Sequence, residues 1–288
     1  MQPTVRAAIW MIGAITAFTV MAIAGRAAAL ELDTFEIMFY RSCVGFVTVL
    51  CAARYFGTLG HINTQNLRLH TARNLAHFAG QNLWFYAITV IPLAQVFALE
   101  FTTPIWAIML APFILQERIT RIGGLAAGVG FIGILVVARP SVASLSPGLV
   151  AAALCAVGFA VSAILTRKLT RTQSITCILV FLTGMQTVFG LVCAGYDGDI
   201  ALPSAQTIPW VVVIGFAGLL AHFCLTKALS IAPASVVMPI DFARLPIIAI
   251  VGIILYNEPV DIWVILGGTV IFAANYLNIR FGQAKITT

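Results

Sequence analysis

Charged side chains are what this sequence has least of. Only 9% of its 288 residues are Asp, Glu, Lys or Arg, where a water-soluble domain carries about 25%. With 61% hydrophobic residues and a mean hydropathy of +1.02, that scarcity excludes a soluble globular domain and points to lipid. Catalytic signatures are missing too: there is no H-E-x-x-H, G-x-S-x-G or P-loop, and the glycines of GGLAAGVGFIG lie inside an apolar run rather than after a strand. Enzyme chemistry therefore has no support. The six cysteines (43, 51, 155, 177, 193 and 224) fall singly, never as C-x-x-C or beside a histidine at ligand spacing. They read as small apolar residues, and neither a metal nor a cofactor is expected. Sixteen Lys and Arg against ten Asp and Glu leave +6, but no basic run is interleaved with aromatics, which argues against nucleic acid as a partner.

What is present is a series of long apolar runs. About 20 such residues cross roughly 30 Å of hydrocarbon as a helix. Ten stretches are expected to do so, near 8–30, 36–56, 71–91, 93–115, 120–138, 147–166, 174–195, 208–230, 234–256 and 260–280. Backbone groups in lipid find partners only within helices or a closed barrel, and runs this long are not period-2 strands, so the expected fold is all-α and integral to the membrane. Arg6 followed by an apolar run ending Ala22-Ile23-Ala24 imitates a secretion signal; the internal repeat described next argues that the segment is retained. Lys and Arg concentrate in alternate loops: Arg6; Arg54, Arg68 and Arg73; Arg118 and Arg121; Arg167, Lys168 and Arg171; Arg280 and Lys285. The positive-inside rule puts these loops and both termini in the cytoplasm, with Arg139 the exception among the opposite, acidic loops.

Sliding the chain by 141 residues lays 87–117 on 228–258 without a gap. Glu100-Phe101 meets Asp241-Phe242, Pro92 meets Pro233, Glu117 meets Glu258, Phe18 meets Phe159, Arg26 meets Arg167, Gln81 meets His222 and Phe131 meets Phe272. Two copies follow, 1–140 and 141–288, each with five spans. An odd number makes the second copy enter from the opposite side, an inverted repeat whose site lies near the midplane. The sequence resembles the drug/metabolite transporter superfamily, specifically its ten-helix EamA-type permeases, through FYAITVIPLAQVFALEFTTPIW and LQERITRIGGLAAGVGFIGILVVARP, with a diverged second copy in ALSIAPASVVMPIDFARLPIIAIVGIILYNEP. The resemblance implies a carrier of small metabolites, often an exporter, working by alternating access from a central cavity. The Asn-Tyr-Leu-Trp-Pro signature associated with the family's aromatic amino-acid exporters is absent; Glu100-Phe101-Thr102-Thr103-Pro104 stands there.

An ionised group in lipid marks function by default. Glu100 and Asp241 each lie about seven residues into their spans, hence about 6 Å either side of the midplane at 1.5 Å per residue, and are expected to serve one half-channel each, holding an ammonium group or a proton. The plainer reading is a brace between Asp241 and Arg244 at i, i+3. Arg244 and Arg41 offer planar forks to a carboxylate or phosphate, or satisfy a neighbouring acid. Arg26 near a helix end is expected to snorkel, and Lys227 leans structural. Asn74, His77, Gln81 and Trp84 follow at steps of three and four, one helical face that should look inward. His222, mate of Gln81, joins them, with Trp84 and Tyr86 as stacking partners; His77 and His222 read equally well as packing residues. Pro104, Pro239 and Pro246 are expected to kink helices, and Gly124 and Gly128 to allow close packing within the subunit.

These readings converge on a carrier of a small polar or zwitterionic metabolite in the bacterial inner membrane. Export of an amino acid or derivative is favoured, with uptake of a nucleoside-like or vitamin-like metabolite the alternative. A membrane-embedded enzyme or a scaffold stands outside that class. The expected partners are the metabolite and the lipid bilayer, with a coupling proton as an option, and the chain is expected as either a monomer or a homodimer.

Overall fold

The computed structural model describes residues 3–114, 121–138, 146–232, 237, 240–259 and 261–281. Among these the secondary structure is helical, without strands. The helices are α1 (Pro3–Ala28), α2 (Thr34–Tyr55), α3 (Leu67–Val90), α4 (Leu93–Glu100), α5 (Thr103–Ile114), α6 (Arg121–Ala138), α7 (Pro147–Leu169), α8 (Ile175–Ala194), α9 (Ile208–Ile231), α10 (Arg244–Tyr256) and α11 (Ile262–Phe281). A 3-10 turn, Asp241–Ala243, leads directly into α10. Five of these helices are long and apolar enough to cross a membrane by themselves: α1, α2, α7, α8 and α9. The expected fourth span is instead two helices, α4 and α5. Pro104 is the second residue of α5 and Pro246 the third of α10, so each begins a helix, where its missing N–H has no partner to lose, rather than kinking one. Pro239, Pro233 and Glu117 lie outside the described residues.

Loop contacts show that the two copies run oppositely through the bundle. At one face Glu31 accepts from the Ser204 amide (2.7 Å) and hydroxyl (2.8 Å) and from the Thr207 hydroxyl, while Tyr40 donates to the Ala201 carbonyl at 2.8 Å. At the other face Asn66 bonds Thr172 (3.2 Å) and Thr58 bonds Thr176 (3.2 Å). The α1 N-terminus belongs to this second face, and α7, the counterpart of α1, starts from the first. Helix pairing carries the same symmetry. α1 packs on α9 and α3 on α7, two contacts that the repeat interconverts; α2 packs on α8 and α6 on α11, each helix against its own mate along the pseudo-twofold axis, and α4 packs on α10, the mate of α5.

Small residues set the closest crossings. A Cβ on Gly158 would meet the Ala76 carbonyl at 2.8 Å and the Gly80 Cα at 3.0 Å. The repeat carries the glycines of this α3–α7 crossing onto Ala17 of α1 and Ala221 of α9, both buried. Between α6 and α11, a Cβ on Gly133 would sit 2.9 Å from the Gly267 carbonyl. Gly124 and Gly128, the expected contact pair, are instead exposed on the outer face of α6, and nothing lies within 4 Å of a Cβ at Gly128. The six cysteines are free thiols.

Candidate functional site

The site begins where two helices are interrupted. α4 ends at Glu100, and the carbonyls released there are taken up locally: the Thr102 hydroxyl donates to the Leu99 carbonyl (2.7 Å) and the Thr103 hydroxyl to that of Glu100 (2.5 Å). Hydroxyl-to-carbonyl bonds of this kind make a broken helix tolerable inside a bundle. Asp241 lies in the 3-10 turn before α10, and Arg244 opens that helix. With α4 packed on α10, the two breaks meet. Arg244 Nη2 donates to Glu100 Oε1 at 2.6 Å and to Asp241 Oδ2; Glu100 Oε2 accepts from Trp84 Nε1 at 2.7 Å. Arg244 is also boxed by rings, its guanidinium carbon lying 5.0 Å from the Phe18 centroid and 4.7 Å from that of Phe97.

The two carboxylates thus share one guanidinium at the centre of the molecule. This corrects the expectation of one acid per half-channel: the helix breaks turn both side chains towards the axis, so counting rise along unbroken helices misplaces them. The Asp241–Arg244 brace is present, extended to Glu100. Among the described residues, Asp241 Oδ1 and Arg244 Nε are buried without a hydrogen-bond partner.

Beside this triad is a chamber with about 790 Å³ of space free of protein atoms, open solvent included. Glu100, Asp241, Arg244, His77, Gln81, Trp84 and His222 line it, and so do Arg73, Phe18, Phe159, Ser162 and Thr166. Its lining comes from the middle of the bundle and from the half nearer the α1 N-terminus.

Three expected site residues lie elsewhere. Tyr86 is 40% exposed; two residues beyond Trp84 it is turned about 200° around α3 and faces outward. Asn74 is buried but spent on the protein, its Nδ2 donating to the Phe181 carbonyl (3.1 Å) and its Oδ1 accepting from Arg73 Nη1 (2.7 Å). Arg41 lies off the chamber in a side pocket with Ser42, Thr183, Gln186 and His222. Trp84 is a hydrogen-bonding wall for Glu100, edge-on to Phe97, rather than a free stacking surface. Arg73 was missed: counted as a cytoplasmic loop charge, it is 3% exposed and faces the chamber. The signal was available, since Arg73, His77 and Gln81 recur every four residues. Arg26, expected to snorkel, pairs with Glu258 and stacks over Tyr256 at 4.5 Å; Glu258 also accepts from the Leu93 amide at 2.9 Å.

An enclosed, charged chamber at the axis of an inverted repeat is the arrangement of a carrier, and the EamA-like transporter family model matches residues 5–139 and again 146–280. The chain belongs to the EamA-like transporter family. This EamA protein is accordingly a multi-pass membrane transporter of bacterial type rather than an enzyme. It is similar to the S-adenosylmethionine uptake transporter of Rickettsia prowazekii (strain Madrid E), with 28% identity over 88% of this chain and 85% of that protein. It is 33% identical to the riboflavin transporter of Brucella anthropi over 85% of this chain and 87% of the relative. The riboflavin transporter of Vibrio cholerae serotype O1 is 28% identical over 92% and 89%. A crystal structure at 15% identity superposes over 98% of both chains with a TM-score of 0.72, a likeness of fold.

Proposed function

We propose that this EamA protein takes up a small metabolite of nucleoside-like or vitamin-like character, carrying polar or zwitterionic groups, across the bacterial inner membrane by alternating access. The observation that carries the reading is the central chamber, which sets the Glu100–Arg244–Asp241 triad among the rings of Phe18, Trp84, Phe101 and Phe159. Aromatic walls suit a flat heterocycle, and two carboxylates sharing one guanidinium keep a net negative charge for a cationic group. Binding of such a group, or of a coupling proton, competes with Arg244 for an acid and loosens the contact between α4 and α10. Alternation of the chamber between the two faces then follows from the pseudo-twofold symmetry. Inward transport is favoured over the export expected from the resemblance because the Rickettsia relative is named for uptake. The loop charges support a cytoplasmic position for both termini.

The test is accumulation of radiolabelled S-adenosylmethionine and riboflavin by cells expressing the protein and by proteoliposomes. Saturable uptake of either, lost in Glu100→Gln and Asp241→Asn proteins that reach the membrane in normal amount, is the expected result. Wild-type rates in both variants would remove the triad from the mechanism, and outward movement alone would reverse the direction.

A further inference from the structure

Three arginines are buried in the core: Arg41 (6% exposed), Arg73 (3%) and Arg244 (2%). Both central carboxylates are committed to Arg244. Among the described residues, Arg41 and Arg73 have no acid. Among the described residues Arg41 donates to the Met21 sulfur, at 3.6 Å, and lies over the Phe85 ring, and Arg73 donates to two neutral groups, the Thr166 hydroxyl (3.0 Å) and the Asn74 amide oxygen (2.7 Å). A buried guanidinium without a counter-charge costs stability that a packing role does not require. The repeat says the same, because its second copy fills the equivalent positions with Leu182 and Ile214; the architecture is built there without charge.

The two arginines belong to one cluster. His222 lines both the chamber, with Arg73, and the side pocket, with Arg41. Its ring centroid is 4.7 Å from that of His77, and Gln186 in the side pocket donates to the backbone carbonyl of Asn74 at 2.9 Å. Among the described residues both His222 nitrogens, His77 Nε2 and Gln186 Oε1 are buried without a hydrogen-bond partner, so donors and acceptors are held open around the cations. Trp84, which holds Glu100, is eleven residues beyond Arg73 on the same helix, about 16 Å at 1.5 Å per residue. Along α3 the core is therefore polarised, with the acids at the Trp84 end and Arg73 at the other, and Arg41, its guanidinium carbon 6.0 Å from the Phe85 ring centroid, lies at a depth between them.

We infer that Arg41 and Arg73, with His77 and His222 between them, form an anion subsite that takes the carboxylate or phosphate of the carried molecule while the acid end holds its other pole. The inference rests on the carrier reading and adds to it that the substrate bears an acidic group. A guanidinium fork binds either anion in two-point fashion.

The full-length protein in lipid nanodiscs is to be melted with two matched pairs of probes, S-adenosylmethionine against its decarboxylated form and riboflavin against its 5′-phosphate. In at least one pair the acid-bearing member should bind about tenfold tighter, read as a larger rise in melting midpoint. Preference in the first pair identifies a carboxylate, and in the second a phosphate. Arg73→Gln and Arg41→Gln should erase the preference while sparing the weaker binding of the member that lacks the acid, and Arg73→Lys should keep part of it. Equal shifts within both pairs, or a preference that survives both glutamine variants, overturns the subsite and leaves the carrier reading intact. A readout without ligand covers silence from all four probes: Arg41→Met should melt about 2–4 °C higher than the empty wild type, because it removes an unmatched charge. A lower midpoint makes Arg41 structural and overturns the inference, whereas failure of transport alone strikes only the carrier reading.

Discussion

Arg244 stands between two carboxylates that would repel each other without it. Removing it leaves both acids buried and unpaired, so Arg244→Met should lose about 3–5 kcal/mol of stability, measured by thermal or denaturant unfolding in detergent. Adding Glu100→Gln should recover part of that loss, because it removes one of the stranded charges, and a double-mutant cycle would read the coupling. At the loop face, the Thr207 hydroxyl and then the Ser204 hydroxyl and amide hold the Glu31 carboxyl below its ordinary value of 4.5. A depressed value means that these bonds stabilise the fold above about pH 4.5 and are lost as the pH falls through the folded-state value. Glu31→Gln should therefore flatten the acid limb of a melting profile taken between about pH 3 and 6. Glu100, Asp241 and Arg244 were legible as residues of interest because charge is rare in this chain. Their meeting on one guanidinium was not, since it depends on where two helices stop. Arg73 escaped because proximity to a helix start was read as exposure, and Tyr86 was over-read because a neighbour of Trp84 in sequence lies on the opposite side of a helix.

At the scale of helices, the packing surfaces are chosen by residues too small to keep backbones apart. Gly133→Leu should cost about 1–3 kcal/mol by forcing α6 from α11. Gly128→Leu, at an exposed position one turn away, should stay within about 0.5 kcal/mol; melting midpoints of the two variants compare them. Sequence spacing picked out Gly124 and Gly128, which face outward, because spacing alone could not say which glycines of α6 meet a neighbour. Helix positions were readable from apolar run length alone. The interruption between α4 and α5 was not, because Phe101-Thr102-Thr103 is apolar enough to continue a span and only the hydroxyl bonds to Leu99 and Glu100 show how the break is satisfied.

Across the molecule, the chamber extends towards the face of the α1 N-terminus, while Arg26, Glu258, Tyr256 and the α4 amide of Leu93 tie α1, α10 and α4 together at the opposite face. Opening that face must break this contact. Arg26→Glu or Glu258→Arg alone should cut transport at least about tenfold, the weight of a 1.4 kcal/mol change, and the exchanged pair Arg26→Glu/Glu258→Arg should restore much of it; initial rates in proteoliposomes decide. The sequence by itself determined that the chain is helical, lies in lipid and is built twice with opposite direction, because composition, run length and an odd span count per copy depend on nothing beyond the chain. Tertiary structure alone decided which charges are paired. Ion pairing needs side chains within a few ångströms, and residues 144 positions apart, such as Glu100 and Arg244, reach that distance only after two broken helices fold onto a common axis.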